Sequence, residues 1–132
     1  MATLKTNTLT GTSTAGSIAV TGEGNSTTTN LQQGLAKCWA LITQSDNSTY
    51  DSFNLASISD DATGQVGFNF TNNTSGRNYS AMMNTQVANC GGLDDVGTAS
   101  ILTSEVTMQA RENDGNNFDA NPMAMTLHGD LA

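Results

Sequence analysis

His128 is the chain's one histidine, so general-base chemistry of the Ser-His-Asp kind would have to pass through it. It lies at the end of a short alternating run, and no Gly-x-Ser-x-Gly elbow occurs to present a serine to it. Two neighbouring carboxylate pairs, Asp60-Asp61 and Asp94-Asp95, are of the residue type that glycoside hydrolysis uses. Neighbours on a strand point to opposite faces, however, and both pairs stand among turn formers, so they read as turn residues. Glu112 to Asp119 is rich in oxygen donors, with Asp114, Asn116 and Asp119 as the candidates to hold a hard cation such as calcium. The spacing does not match an EF-hand loop, and Asp114-Gly115 at its heart marks a hairpin turn instead. No metal centre, cofactor or catalytic group is expected, and the chain reads as non-enzymatic.

The remaining reactive or recognition-type residues follow the same pattern. Cys38 and Cys90 are too few for a disulfide framework, and no Cys-x-x-Cys spacing exists for zinc. Cys38 sits in the apolar run LAKCWALI and reads as a buried thiol, with a Cys38–Cys90 bridge as the alternative. Tyr50, Tyr79 and Trp39 together could stack against sugars; Trp39 is assigned to the core, and Tyr50 and Tyr79 to a possible binding rim. The methionines Met82, Met83, Met123 and Met125 read as adaptable packing or interface residues.

What must position these groups is a set of short strands. Asp51 to Thr71 carries Phe53 and Leu55, then Val66, Phe68 and Phe70, alternating with polar neighbours in the period-two pattern of half-buried strands. Ser59 to Gly64 between them is a run of turn formers, which predicts a hairpin with a loop of five or six residues. Trp39, Phe53, Leu55, Val66, Phe68 and Phe70 form the predicted core. Further strands are expected over Leu35–Ile42, Tyr79–Met83, Leu102–Ala110 and Met123–His128, with Gly91–Gly97 a turn-rich connection. Short strands at this spacing predict an all-β fold, an antiparallel sandwich or jelly-roll-like body over residues 35–132.

Residues 1–34 differ. They contain no aromatic residue, and their apolar members Leu4, Leu9, Ile18, Val20 and Leu31 are mostly isolated. Burying one such side chain contributes about 1.5–3 kcal/mol, whereas ordering each backbone residue costs about 1–2 kcal/mol. So few anchors cannot hold the segment by themselves. It reads as an extended Thr/Ser/Gly-rich arm, ordered by sister subunits or a larger assembly through those five residues. Thr27–Gly34 is either a loop or a short turn of helix, capped by Asn30 and stopped by Gly34.

Composition narrows the partners. Of 132 residues only 12% are charged, against the usual ~25%. Four Lys+Arg against twelve Asp+Glu give a net charge of −8, which argues against nucleic acid and against an anionic membrane surface. No apolar run approaches the roughly 20 residues of a membrane span, and the first residues lack the apolar core of a signal peptide. The expected site of synthesis is a cytoplasm. Asn-x-Ser/Thr triplets such as those at Asn47 and Asn78 then carry no glycan.

Gly34-Leu35-Ala36-Lys37-Cys38-Trp39, then Asp51-Ser52-Phe53-Asn54-Leu55-Ala56-Ser57-Ile58-Ser59-Asp60, then Gly64 through Phe70 to Asn78-Tyr79, resemble short virion proteins of tailed phages. The chain looks most like those of marine and cyanobacterial phages, over roughly residues 1–80. Cys38 is a departure, alanine being more usual there. The resemblance implies a fibre, knob or capsid-decoration component of the virion, made in the host cytoplasm and often a homotrimer. The implied partner is the major capsid protein or another virion component. The expected role is a capsid-surface decoration or head-fibre protein docking through its N-terminal arm. The alternative is a tail-fibre or receptor-binding tip that touches a host-surface glycan.

Overall fold

The computed structural model describes residues 3–13, 18–21, 28–85, 90–93 and 101–130. Two compact units emerge, Met1–Leu35 and Ala36–Ala132. The first holds a small antiparallel hairpin, β1 (Ala19–Thr21) against β2 (Thr28–Asn30), and one helical turn, α1 (Leu31–Gly34). The Leu31 amide donates to the Ile18 carbonyl at 2.8 Å, which carries the pairing one step beyond the ladder. Its β1 residues are all exposed.

The second unit is all-β, with eight described strands in two antiparallel sheets. They are β3 (Cys38–Thr43), β4 (Ser48–Phe53), β5 (Leu55–Ala62), β6 (Gln65–Phe70), β7 (Ser80–Thr85), β8 (Cys90–Leu93), β9 (Glu105–Arg111) and β10 (Met123–His128). One sheet has the order β4-β3-β10-β7, the other β5-β6-β9-β8. Alternation places Cys38, Ala40, Ile42, Met123, Met125 and Leu127 of the first sheet inward. They meet Val66, Phe68, Phe70, Val106, Met108 and Ala110 of the second in one core, as in a sandwich.

Three sequence expectations change. Phe53 and Leu55 belong to different sheets: Asn54 takes a left-handed conformation (φ 59°) between β4 and β5, and the chain turns a corner there. The hairpin that follows has a two-residue connection, Thr63-Gly64, because Asp60 pairs with Val66 and Ala62 with Gln65. The polar residues that read as a loop are accommodated in β5 because Gly67 opposite has no side chain. A Cβ there would stand 2.4 Å from the Ser59 hydroxyl and 3.1 Å from an Asp61 carboxylate oxygen. Lastly, Cys90–Leu93 is a strand on β9 where a turn-rich connection was expected, and β9 itself starts at Glu105 rather than Leu102. The Asp94-Asp95 pair lies outside the described residues.

The core differs from expectation at two positions. Val66, Phe68 and Phe70 are buried and Leu55 packs against the cluster, but Trp39 and Phe53 are on the outside. The reason is in β3: Cys38, Ala40 and Ile42 fill the interior, so the strand's alternation sends Trp39 and Leu41 outward, and Phe53 pairs with Trp39.

Buried polar groups lock the two sheets together. Gln44, wholly buried just past β3, donates through Nε2 to the carbonyls of Gln65 (3.2 Å) and Ala62 (3.4 Å). Its Oε1 accepts from the Ala120 amide at 3.4 Å. One side chain thereby ties the end of β3 to the β5–β6 hairpin and to the approach to β10.

Candidate interaction surface

The two outer faces of the body differ sharply in chemistry. Across the β5-β6-β9-β8 sheet the outward rows read Ser57, Asn69, Glu105 and then Ser59, Gly67, Thr107, with Gln65 and Gln109 beyond. Those rows are polar, and within them Thr107 and Gln109 are buried. Across the β4-β3-β10-β7 sheet, register aligns Phe53, Trp39, Thr126 and Met82 in one row and Asp51, Leu41, Ala124 and Asn84 in the next. Phe53 is 51% exposed, Trp39 36%, Leu41 38% and Met82 60%. With side chains of this size, that amounts to roughly 300–400 Å² of apolar surface in one patch, the scale at which patches on soluble proteins acquire a role.

The patch has relief. The central strand β10 presents the small side chains Ala124 and Thr126, while its neighbours present Trp39 and Leu41 on one side and Met82 and Asn84 on the other. A shallow open cleft of about 210 Å³, lined by Leu41, Asn84, Thr85, Pro122 and Ala124, lies along this furrow. The bond before Pro122 is cis. Asp51 is the one carboxylate on the described strands of this face, and His128 stands at its end, paired opposite Ser80.

The corner at Asn54 fixes one end of the patch. Its side-chain amide donates to the carbonyls of Lys37 (2.9 Å) and Asn72 (3.1 Å), and its Oδ1 accepts from the Asn72 amide at 2.7 Å. The β3–β4 turn is built on Asp46, whose carboxylate accepts from the Thr43 hydroxyl and from the Ser48 amide. Those hydrogen bonds, Thr43 foremost, hold the Asp46 carboxyl below the usual carboxylate value. Tyr50 is the extra residue of a bulge in β4, between Asp51 opposite Leu41 and Thr49 opposite Ile42, and it is 64% exposed.

Tyr79, expected at a binding rim, is instead a structural residue. Its ring meets Phe70 edge-on at 6.3 Å, and its hydroxyl lies 2.9 Å from the Leu102 carbonyl and 3.1 Å from that of Glu105. Burial pushes its pKa up to about 12. Tyr50 and Tyr79 are therefore not brought together as a platform.

The candidate cation donors do not converge either. Asp119 accepts from the Gly64 amide at 2.8 Å, whereas Asp114 accepts from the Asn116 amide (3.1 Å) and side chain (2.8 Å) within its own loop. Asp60 and Asp61 lie on β5 as strand neighbours. Cys38 is a free, buried thiol whose pKa burial raises to about 11.

In the N-terminal unit, Leu4 is 77% exposed, Leu9 54%, Val20 48% and Leu35 55%. Ile18 and Leu31 are half-buried. Val20, Asn30, Leu31, Gly34 and Leu35 line a shallow apolar cleft of about 250 Å³ within this unit.

The sequence reads Met82 as a packing or interface residue and leaves open whether the face of Trp39 and Leu41 is covered. In LAKCWALI both faces of the strand are apolar, so alternation alone could not tell which was inside. No protein-family profile matches the chain, and comparison with curated proteins and with solved structures finds no match.

Proposed function

We propose that this chain is a non-enzymatic structural component of a tailed-phage virion, a capsid-surface decoration or head-fibre protein that docks through its N-terminal unit. The observation that carries the docking role is the exposure of Leu4, Leu9, Val20 and Leu35 on a segment with few apolar residues to spare. Full burial of such a side chain contributes about 1.5–3 kcal/mol, and a covering partner recovers the part that these residues leave in water. The virion setting rests on the resemblance of residues 1–80 to short phage virion proteins.

A non-enzymatic role is supported by the placement of the groups with chemical potential. Asp119 is engaged with the β5–β6 turn, Asp60 and Asp61 are strand neighbours, and the Cys38 thiol is buried and held protonated. A net charge of −8 further suits a protein partner over a polyanion.

The test is capsid binding. Full-length protein is mixed with capsids lacking it and co-sedimented, beside a Leu4→Asp/Leu9→Asp variant with an unchanged circular dichroism spectrum. Binding by the parent and loss in the variant is expected. Equal binding by both would remove the docking role from the arm, and no binding by either would remove the capsid as partner.

A further inference from the structure

We propose that the outer face of the β4-β3-β10-β7 sheet is a self-complementary interface that seats a second copy of the same chain, face to face about a two-fold axis. The axis runs parallel to the strands and passes between β3 and β10. The surface belongs to the β body and does not depend on the virion assignment.

The register dictates the pairing. A two-fold axis in that position brings β3 of one copy over β10 of the other and β4 over β7, while each row stays with its own row. Trp39 then meets Thr126 of the other copy, and Leu41 meets Ala124, so each bulky side chain enters the furrow over the partner's β10. Phe53 meets Met82, a thioether against an aromatic ring, and Asp51 meets Asn84, a carboxylate beside an amide that can donate to it. Every contact occurs twice, as a two-fold interface requires.

Charge agrees with this arrangement. A copy bearing −8 repels its twin, so self-association needs a face where like charges do not meet. Asp51 is the only carboxylate on the described strands of this face, and the axis sets the two Asp51 residues on opposite margins. Among the described residues, the opposite outer face, with Glu105 and Arg111 on β9, has no such apolar row.

Area sets the size class. Four strands about 4.8 Å apart and six residues long at about 3.3 Å each make a face near 19 Å by 20 Å. Side-chain relief raises its accessible area to roughly 600–800 Å² per copy, against about 800 Å² per partner in a standard stable interface. At or below the standard size, and with two copies of −8 to bring together, the dimer is expected to dissociate in the micromolar range.

The experiment uses the full chain. Sedimentation velocity from about 1 to about 200 µM should show monomer passing to dimer, with the emission of Trp39, the sole tryptophan, shifting blue in step. Asn84→Asp, an exposed change that opposes two carboxylates at each margin, should weaken the dimer at least tenfold. In the same chain, adding Asp51→Asn should restore affinity to within about threefold of the parent. Within one copy these residues are three strands apart, about 14 Å, so rescue can arise only between copies. Monomer at all concentrations, a trimer, association without a change in Trp39 emission, or absence of rescue would each overturn the proposal.

Discussion

Asn54 grips Asn72 as one strand grips another. Its side-chain carbonyl accepts from the Asn72 backbone amide at 2.7 Å, and its side-chain amide donates to the Asn72 carbonyl at 3.1 Å. A further bond joins the Thr71 amide to the Asn54 carbonyl at 3.0 Å. The residue at which the chain passes from one sheet to the other thus carries its own substitute for the ladder it interrupts. Asparagine suits the place on two counts, since it tolerates the left-handed backbone and supplies both a donor and an acceptor.

Two substitutions separate those contributions. Asn54→Gly keeps the backbone conformation and loses the side-chain bonds, and should cost about 1–3 kcal/mol. Asn54→Ala adds the penalty of a left-handed backbone and should cost roughly 1–2 kcal/mol more. Urea unfolding followed by Trp39 emission gives both numbers; an alanine variant as stable as the glycine variant would contradict the assignment.

Gly64 is held from two directions. Its backbone is at φ 73°, its amide donates to Asp119 at 2.8 Å, and its carbonyl accepts from Ala110 at 2.7 Å. A Cβ would stand 2.6 Å from the Ala110 carbonyl oxygen. Gly64→Ala should therefore cost about 2–4 kcal/mol, more than the strain of a left-handed alanine alone. Gly115→Ala is the control, with φ 88° but open space around its Cβ. The thermal midpoint of the Gly64 variant should fall clearly below that of the Gly115 variant.

Gln44 tests the link between the sheets. Gln44→Leu keeps the bulk but strands buried partners, at about 1–3 kcal/mol for each group left unsatisfied. Gln44→Glu is expected to be worse at neutral pH, because a buried carboxylate would face the carbonyls of Ala62 and Gln65. Acidification should recover part of that loss, since a protonated Glu can donate again. Denaturant titrations at neutral and mildly acidic pH check the ordering and its reversal.

Cys38 predicts an alkaline decline in stability. Burial raises its pKa from 9.0 to about 11, so between those values the unfolded chain has released a proton that the folded chain retains. Its contribution is full below pH 9 and diminishes as pH rises toward about 11. Tyr79 adds a second decline that begins at 10.0 and extends to about 12. In Cys38→Ala the fall in the urea midpoint across the first of these intervals, below pH 10, should disappear while the later one persists.

The sequence made the fold class legible, because strand period and turn chemistry agree along β6 and β10. It misassigned the ends of elements where tertiary contacts outweigh local preference. Asp60 and Asp61 look like turn residues until a side-chain-free Gly67 makes room beside them. Gly91-Gly92 looks like a loop until β9 offers it a ladder. The interaction surface is half visible: Trp39 and Phe53 stand out by type but read as interior, since hydrophobicity alone does not say which side of a sheet is covered. Tyr79 erred the other way, its hydroxyl being satisfied by carbonyls distant in sequence.

The pairing of Cys38 with Leu127 has a consequence for biosynthesis. β3 is the first strand of the body to leave the ribosome and β10 the last, yet they lie side by side in the middle of their sheet. Until His128 has emerged, β3 has only the β4 hairpin on one flank, and its other edge stays open while β4 to β9 are made. The nascent chain is thus most prone to mispairing before β10 is made, and the arrival of β10 completes that layer.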